Sequence, residues 1–279
     1  MYRTIIEIIN AQHASDGAGV KLKRAIGGPA LQKFDPFLML DEFKSDQKDD
    51  YIAGFPAHPH RGFETVTYML AGKMQHQDHL GNQGLLQAGD VQWMTAARGI
   101  IHSEMPQQEE GLMHGFQLWL NLPSSNKLDD PEYQDIAAAK IPQIKHSKFT
   151  ARVVAGTLRI DQTATKGYIQ KRVTEPLIAD VMITANEALV VQTEPSHRVY
   201  IYAYDGELSI AERTLKQHQI AVLGEGDEIK INASAGAKFL LLSGKPLGEP
   251  IAHWGPFVMN NHNEIEQAIN QYRAGTLTD

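Results

Sequence analysis

The sequence contains no cysteine, which excludes disulfides, thiolate metal sites and cysteine nucleophiles together. Any metal must sit on histidine and carboxylate. Long apolar runs are also missing: no segment of the chain approaches the roughly 18 residues that a membrane-crossing helix needs. The opening MYRTIIEIIN has a short apolar run broken by Glu7 and lacks the features of a secretory signal, so a cytoplasmic protein without membrane spans is expected. Lysine and arginine are nowhere concentrated, and the formal charge is −7 with histidine neutral. A phosphate-binding surface needs clustered cations, so direct nucleic-acid binding is not expected.

What is present is an ordinary globular composition, 42% hydrophobic and 21% charged over 279 residues. That length exceeds the about 100 to 200 residues of one typical core, so two domains are expected. From residue 18 to 122 the chain reads as short β-prone runs cut by turn residues: GVKLKRAIGG, FLMLDEF, ETVTYMLAGKM, DVQWMTA, GIIHSEM and GFQLWLNL. Such spacing favours a sandwich or barrel. Pro123 and the polar SSNKLDDPEY end this block, which places a domain boundary near residues 123–145. The domains are accordingly taken as 1–130 and 131–279. The second block again has strand texture and closes with NEIEQAINQYRAG. There Ile265, Ala268, Ile269 and Tyr272 recur at helical spacing and Gly275 is placed to end a C-terminal helix.

The two blocks resemble each other. Gly72 in TYMLAGKM is followed 17 residues later by Gly89 of AGDVQW, and Gly206 in YAYDGELSI 20 residues later by Gly226 of EGDEIKI. This points to a duplicated barrel.

The chemistry concentrates in AHPHRGFETV and, some forty residues later, GIIHSEMP. Residues two apart in a strand project to one face, so His58 and His60 point together, as do His102 and Glu104, while Ser103 points away. Two such strands facing one cavity supply three imidazoles and a carboxylate, a donor set for Fe(II), Mn(II), Ni(II), Cu(II) or Zn(II) with room for water or substrate. No other histidine has a paired partner. His76 and His79, in QHQDHLGNQG, read as a solvated loop, and His114 as a hydrogen-bonded core residue. Phe63, Trp93, Phe116 and Trp119 read as core packing. Matching Gly206 to Gly72 and Gly226 to Gly89 puts Gln192, Glu194, Phe239 and Leu241 at the four ligand positions of the second half, so one site, in the first half, is expected. A zinc hydrolase is disfavoured: zinc sites more often use fewer histidines, and no Ser-His-Asp arrangement is present.

At these residues the sequence resembles the cupins, whose first motif is matched by His58, His60, Glu64 and Gly72. Glu-to-Gly spacing is one residue longer than usual, Pro106 stands where an Asn often follows the histidine, and Gly99 replaces the usual Pro-x-Gly. These departures fit a narrower family. FDPFLMLDEF, FPAHPHRGFETVTYMLAGKMQHQD, GDVQWMTAARGIIHSEMP, QLWLNLPSS, AVLGEGD and GPFVMNN resemble the pirins, from about residue 18 to residue 273. The resemblance implies an all-β fold of two tandem cupin (jelly-roll-type) β-barrels with a short C-terminal helix. It implies one divalent metal ion, iron before Mn, Ni, Cu, Co or Zn, on His58, His60, His102 and Glu104, with Glu64 a bracing residue and not a ligand. It also implies a monomer and, as in several bacterial pirins, quercetin 2,3-dioxygenase activity on a flavonol with O2. Glu104 would then double as the base for the flavonol 3-hydroxyl. The alternative implied by eukaryotic pirins and by bacterial ones linked to metabolic enzymes is a metal-dependent regulatory module acting through a protein partner.

Overall fold

The computed structural model describes residues 1–28 and 31–279. Regular structure among them is almost all strand, with one α-helix, His262–Ala274, near the end. No helix of the described residues is long and apolar enough to cross a membrane.

The chain divides into two compact units that interleave in sequence: one is His13–Ala138 with Leu247–Asp279, the other Met1–Gln12 with Ala139–Pro246. The division into 1–130 and 131–279 therefore differs from the packing at both ends of the chain. The C-terminal helix, expected with the second block, belongs with the first. Its Ile265 and Ala268 bury against Ala252, Phe257, Met259 and Leu277. Asn261 caps its start by accepting from the Glu264 amide, and Gly275, at φ 73°, ends it, a left-handed conformation that costs glycine little.

The His13–Ala138 unit has a seven-stranded antiparallel sheet in the order Glu132–Ile136, Val91–Thr95, Phe63–Ala71, Met113–Asn121, Phe37–Ser45, Val20–Ile26, Gln12–Asp16. A four-stranded sheet follows the order Phe55–His60, Ile100–Pro106, Met74–Asp78, Gln83–Leu86. Val20, Leu22, Phe43, Met69 and Met113 of the larger sheet share a core with Met74 and Leu86 of the smaller. The second unit repeats the plan with a seven-stranded and a six-stranded sheet. One core runs between them, from Val153, Val181 and Ile201 to Leu189, Val191, Ile229 and Ile231.

The expected closed barrels are not formed: every sheet is open, and each unit is a two-layer sandwich in cupin-like order. Closure requires the first and last strands of a sheet to hydrogen-bond. Here the outer strands of the first large sheet are the polar QHASD and EYQDI, and polar edges tolerate the solvent they face.

The internal repeat is real in its first half and one strand out of register in its second. Phe63–Ala71 and Arg198–Gly206 are each the third strand of a seven-stranded sheet, and Gly72 and Gly206 both turn at positive φ. Yet Gly89 leads into Val91–Thr95, whose counterpart is Gln219–Leu223, whereas Gly226 leads into Glu228–Ala233, the counterpart of Ile100–Pro106. Gly226 thus matches Gly99; their φ angles are 147° and 157°. Positions 102 and 104 then correspond to Ile229 and Ile231, and position 58 to Val191, which pairs with Ile229 as His58 pairs with His102. All three are core side chains and offer no donor atom.

Candidate metal centre

Phe55–His60 is an edge strand, which is where Pro56 and Pro59 cause least loss, since proline has no amide to give to a ladder. It pairs antiparallel with Ile100–Pro106, His58 opposite His102 and Ile100 opposite His60. Period-two alternation puts all three imidazoles on one face, and burial along Ile100–Pro106 alternates to match, with His102 and Glu104 inside. The register shifts between His102 and Glu104, where Glu104 comes opposite Phe55. The chain leaves His60 through Arg61 and Gly62. Gly62 sits at φ 91°, and a Cβ there would collide with the Val258 carbonyl; only glycine fits.

The three imidazoles converge. His58 Nε2 lies 3.0 Å from both His60 Nε2 and His102 Nε2, and the ligand atoms of the group all lie within 4.8 Å of one another. The Pro56 carbonyl, 2.8 Å from His58 Nδ1, can only accept, so Nδ1 carries the proton and Nε2 presents its lone pair to the centre. Burial pushes the pKa of His58 down and those of His60 and His102 well below the ordinary imidazole value. Neutral rings with converging lone pairs repel unless a cation lies between them. His60 Nδ1 is buried without a well-formed hydrogen bond, although the Pro256 carbonyl acts on it.

Glu104 lies on the same cavity wall as His58 and His60 but outside the compact three-histidine group. Its Oε1 accepts from Thr67 Oγ1 and its Oε2 from Gln117 Nε2, both at 2.8 Å. Burial pushes its pKa up to about 7, against those two donors. A divalent cation at the imidazoles would pull it down again. Nitrogen donors with a nearby carboxylate and no sulfur fit a divalent first-row metal, so the cluster is a histidine-based metal site.

The cavity beside it has a volume of about 550 Å³, within the about 300–1,000 Å³ common for small-molecule sites. Leu22, Leu38, Met39, Phe43, Phe55 and Trp119 form its apolar walls. Trp119, read from the sequence as core, meets His60 edge-on with ring centroids 5.2 Å apart and lies against Phe63, centroids 4.3 Å apart and planes tilted by 32°. Phe63, Trp93 and Phe116 are core. Glu64 accepts from Trp93 Nε1 and Thr95 Oγ1, bracing the large sheet. His114 is buried with Nε2 2.9 Å from Glu42 Oε1, as its sequence context suggested.

His76 is the residue the sequence reading missed. It belongs to the strand Met74–Asp78, is 0% exposed, and its Nδ1 lies 3.3 Å from His102 Nδ1. The signal was the alternation of Met74, His76 and Asp78, hidden among glutamines that read as loop. His79 is exposed, as expected of that segment.

Residues 19–120 match the family model described as Pirin, and residues 178–278 that of the Pirin C-terminal cupin domain. The chain belongs to the pirin family. A Pseudomonas aeruginosa pirin relative, provisionally named a quercetin 2,3-dioxygenase, is 50% identical over 99% of this chain and 98% of its own. A Caulobacter vibrioides protein named pirin-like is 42% identical over 98% of each. Among solved structures, a quercetin 2,3-dioxygenase from Acinetobacter baumannii superposes with a TM-score of 0.91 at 32% identity, covering 99% of both chains.

Proposed function

We propose that this pirin is a quercetin 2,3-dioxygenase-type oxidoreductase, opening the heterocycle of a flavonol with O2 and releasing carbon monoxide, with iron as its metal. The observation that carries the reading is a cluster of three neutral imidazoles, two of which, His58 and His60, line an apolar cavity large enough for a flat aromatic molecule. The names of the Pseudomonas and Acinetobacter relatives support the same activity.

His58, His60, His102 and Glu104 would hold the ion. When bound, a divalent metal supplies Lewis acidity toward an enolic hydroxyl. Trp119, Phe43 and Leu38 orient the rings and exclude water, which strengthens electrostatic interactions within the site. Glu104 accepts the proton of the flavonol 3-hydroxyl at a carboxylate oxygen. A buried carboxylate with a raised pKa is a stronger base than an exposed one. Thr67 and Gln117 fix the plane of that carboxylate.

The test is oxygen uptake and carbon monoxide release when quercetin is added to iron-loaded protein. Uptake that depends on metal and quercetin is expected; no uptake above the metal-free control overturns the assignment.

A further inference from the structure

A histidine that holds a metal through Nε2 must carry its proton on Nδ1, and what accepts that proton decides how firmly the ring is aimed. For His58 the acceptor is the Pro56 carbonyl. For His102 it is neither a carbonyl nor a carboxylate but another imidazole, Nδ1 of His76 at 3.3 Å. A neutral imidazole that accepts at Nδ1 is protonated at Nε2. His76 Nε2 faces Asp78 Oδ2 at 3.5 Å, and the Asp78 side chain is 0% exposed. Every donor then meets an acceptor in one direction, from His102 through His76 to Asp78, and the lone pair of His102 Nε2 is left for the centre.

The surroundings fix each member. Strand pairing sets His76 opposite Glu104 and Asp78 opposite His102. The His76 ring stacks on Tyr133, centroids 4.5 Å apart at 26°, and Tyr133 donates to Asp135 and accepts from Gln92. Asp78 is anchored by the amides of Leu80 and Asn82 on Oδ1 and by the Asn82 side chain on Oδ2.

We propose that His76 and Asp78 are positioning residues for the metal centre, a hydrogen-bonded chain that sets the tautomer and orientation of His102. This rests on the metal site that the proposed function uses, but not on its substrate. The test uses Co(II) as probe, its dissociation constant measured by chelator competition and its ligand-field bands by absorption. His76→Leu removes the acceptor and is expected to weaken Co(II) binding roughly 10- to 100-fold and shift the bands. His76→Asn returns an amide oxygen near the lost Nδ1 and is expected to recover affinity to within about threefold of the parent. A leucine variant that binds like the parent with unchanged bands overturns the proposal, as does equal weakening by leucine and asparagine. Should the leucine variant not fold, Asp78→Asn carries the test: weakening of about fivefold or more supports the chain, and a smaller change overturns it. A parent protein that binds no Co(II) overturns the metal site itself, whereas variants that match a metal-binding parent overturn only this inference.

Discussion

Under the proposed function, Glu104 serves two partners. One is a cation beside three imidazoles, the other a substrate proton, and its present contacts with Thr67 and Gln117 show that it has supports away from the histidines. Glu104→Gln keeps the shape and removes the charge and the basicity. The expected outcome is a fall in kcat of about 10²- to 10⁴-fold, with a much smaller loss of bound metal, measured by oxygen-uptake kinetics beside metal analysis of the same preparation. Equal loss of both would make Glu104 a ligand only. At this scale the sequence was most legible where chemistry and period coincide. His58, His60 and His102 come together because each pair is two apart in a strand and the strands pair in that register. His76 was illegible because Gln75 and Gln77 alternate with it, and polar neighbours disguise a buried face when only one strand is read.

The strands that carry the clustered histidines are held from behind by a buried lysine. Lys127 Nζ donates to the Gly62 carbonyl and Asn121 Oδ1, each at 2.7 Å, and to the Val258 carbonyl at 2.9 Å. It thereby ties the turn after His60 to the end of Met113–Asn121 and to the hairpin strand Phe257–Met259. Burial pushes its pKa down from 10.5 to about 7, while Glu249 and Glu264 oppose the shift. The unfolded state therefore binds more protons than the folded state between about pH 7 and 10.5, and stability from this group rises with pH through that window. It is fully present above the unfolded value and lost as pH falls toward the folded one. Urea midpoints of the parent, relative to those of Lys127→Met, should rise from pH 7 to pH 10; a flat difference would remove the buried amine as its source. The C-terminal helix and most strands of the first block were readable from turn residues and period, but Met74–Asp78 was not. The repeat register was not, because Gly-Asp turns precede strands of any rank. Nor was sheet closure, since whether outer strands meet is a matter of hydrogen bonds that no side-chain pattern records.

At the scale of the whole molecule, the proposed ligands His58, His60, His102 and Glu104 all lie within His13–Ala138, so metal binding is expected to act on one of the two units. A ligand that binds only the folded state stabilises it by about 2.7 kcal/mol at 100 times Kd, on the order of 5–10 °C for a domain of this size. Calorimetry with and without chelator should show that shift in the transition of the metal-binding unit alone; an equal shift in both units would mean that they unfold together. The interleaving of the units has a further consequence, for the order in which the protein can be made. His253 and Pro256 line the cavity, and Arg61, next to His60, donates to Gln271 and to the Leu277 carbonyl. The ribosome delivers the clustered histidines well before the groups that brace and enclose them. The unit that holds the histidines stays unfinished until Leu247–Asp279 has followed the whole of Ala139–Pro246 off the ribosome, so its cavity closes only after the other unit has been made.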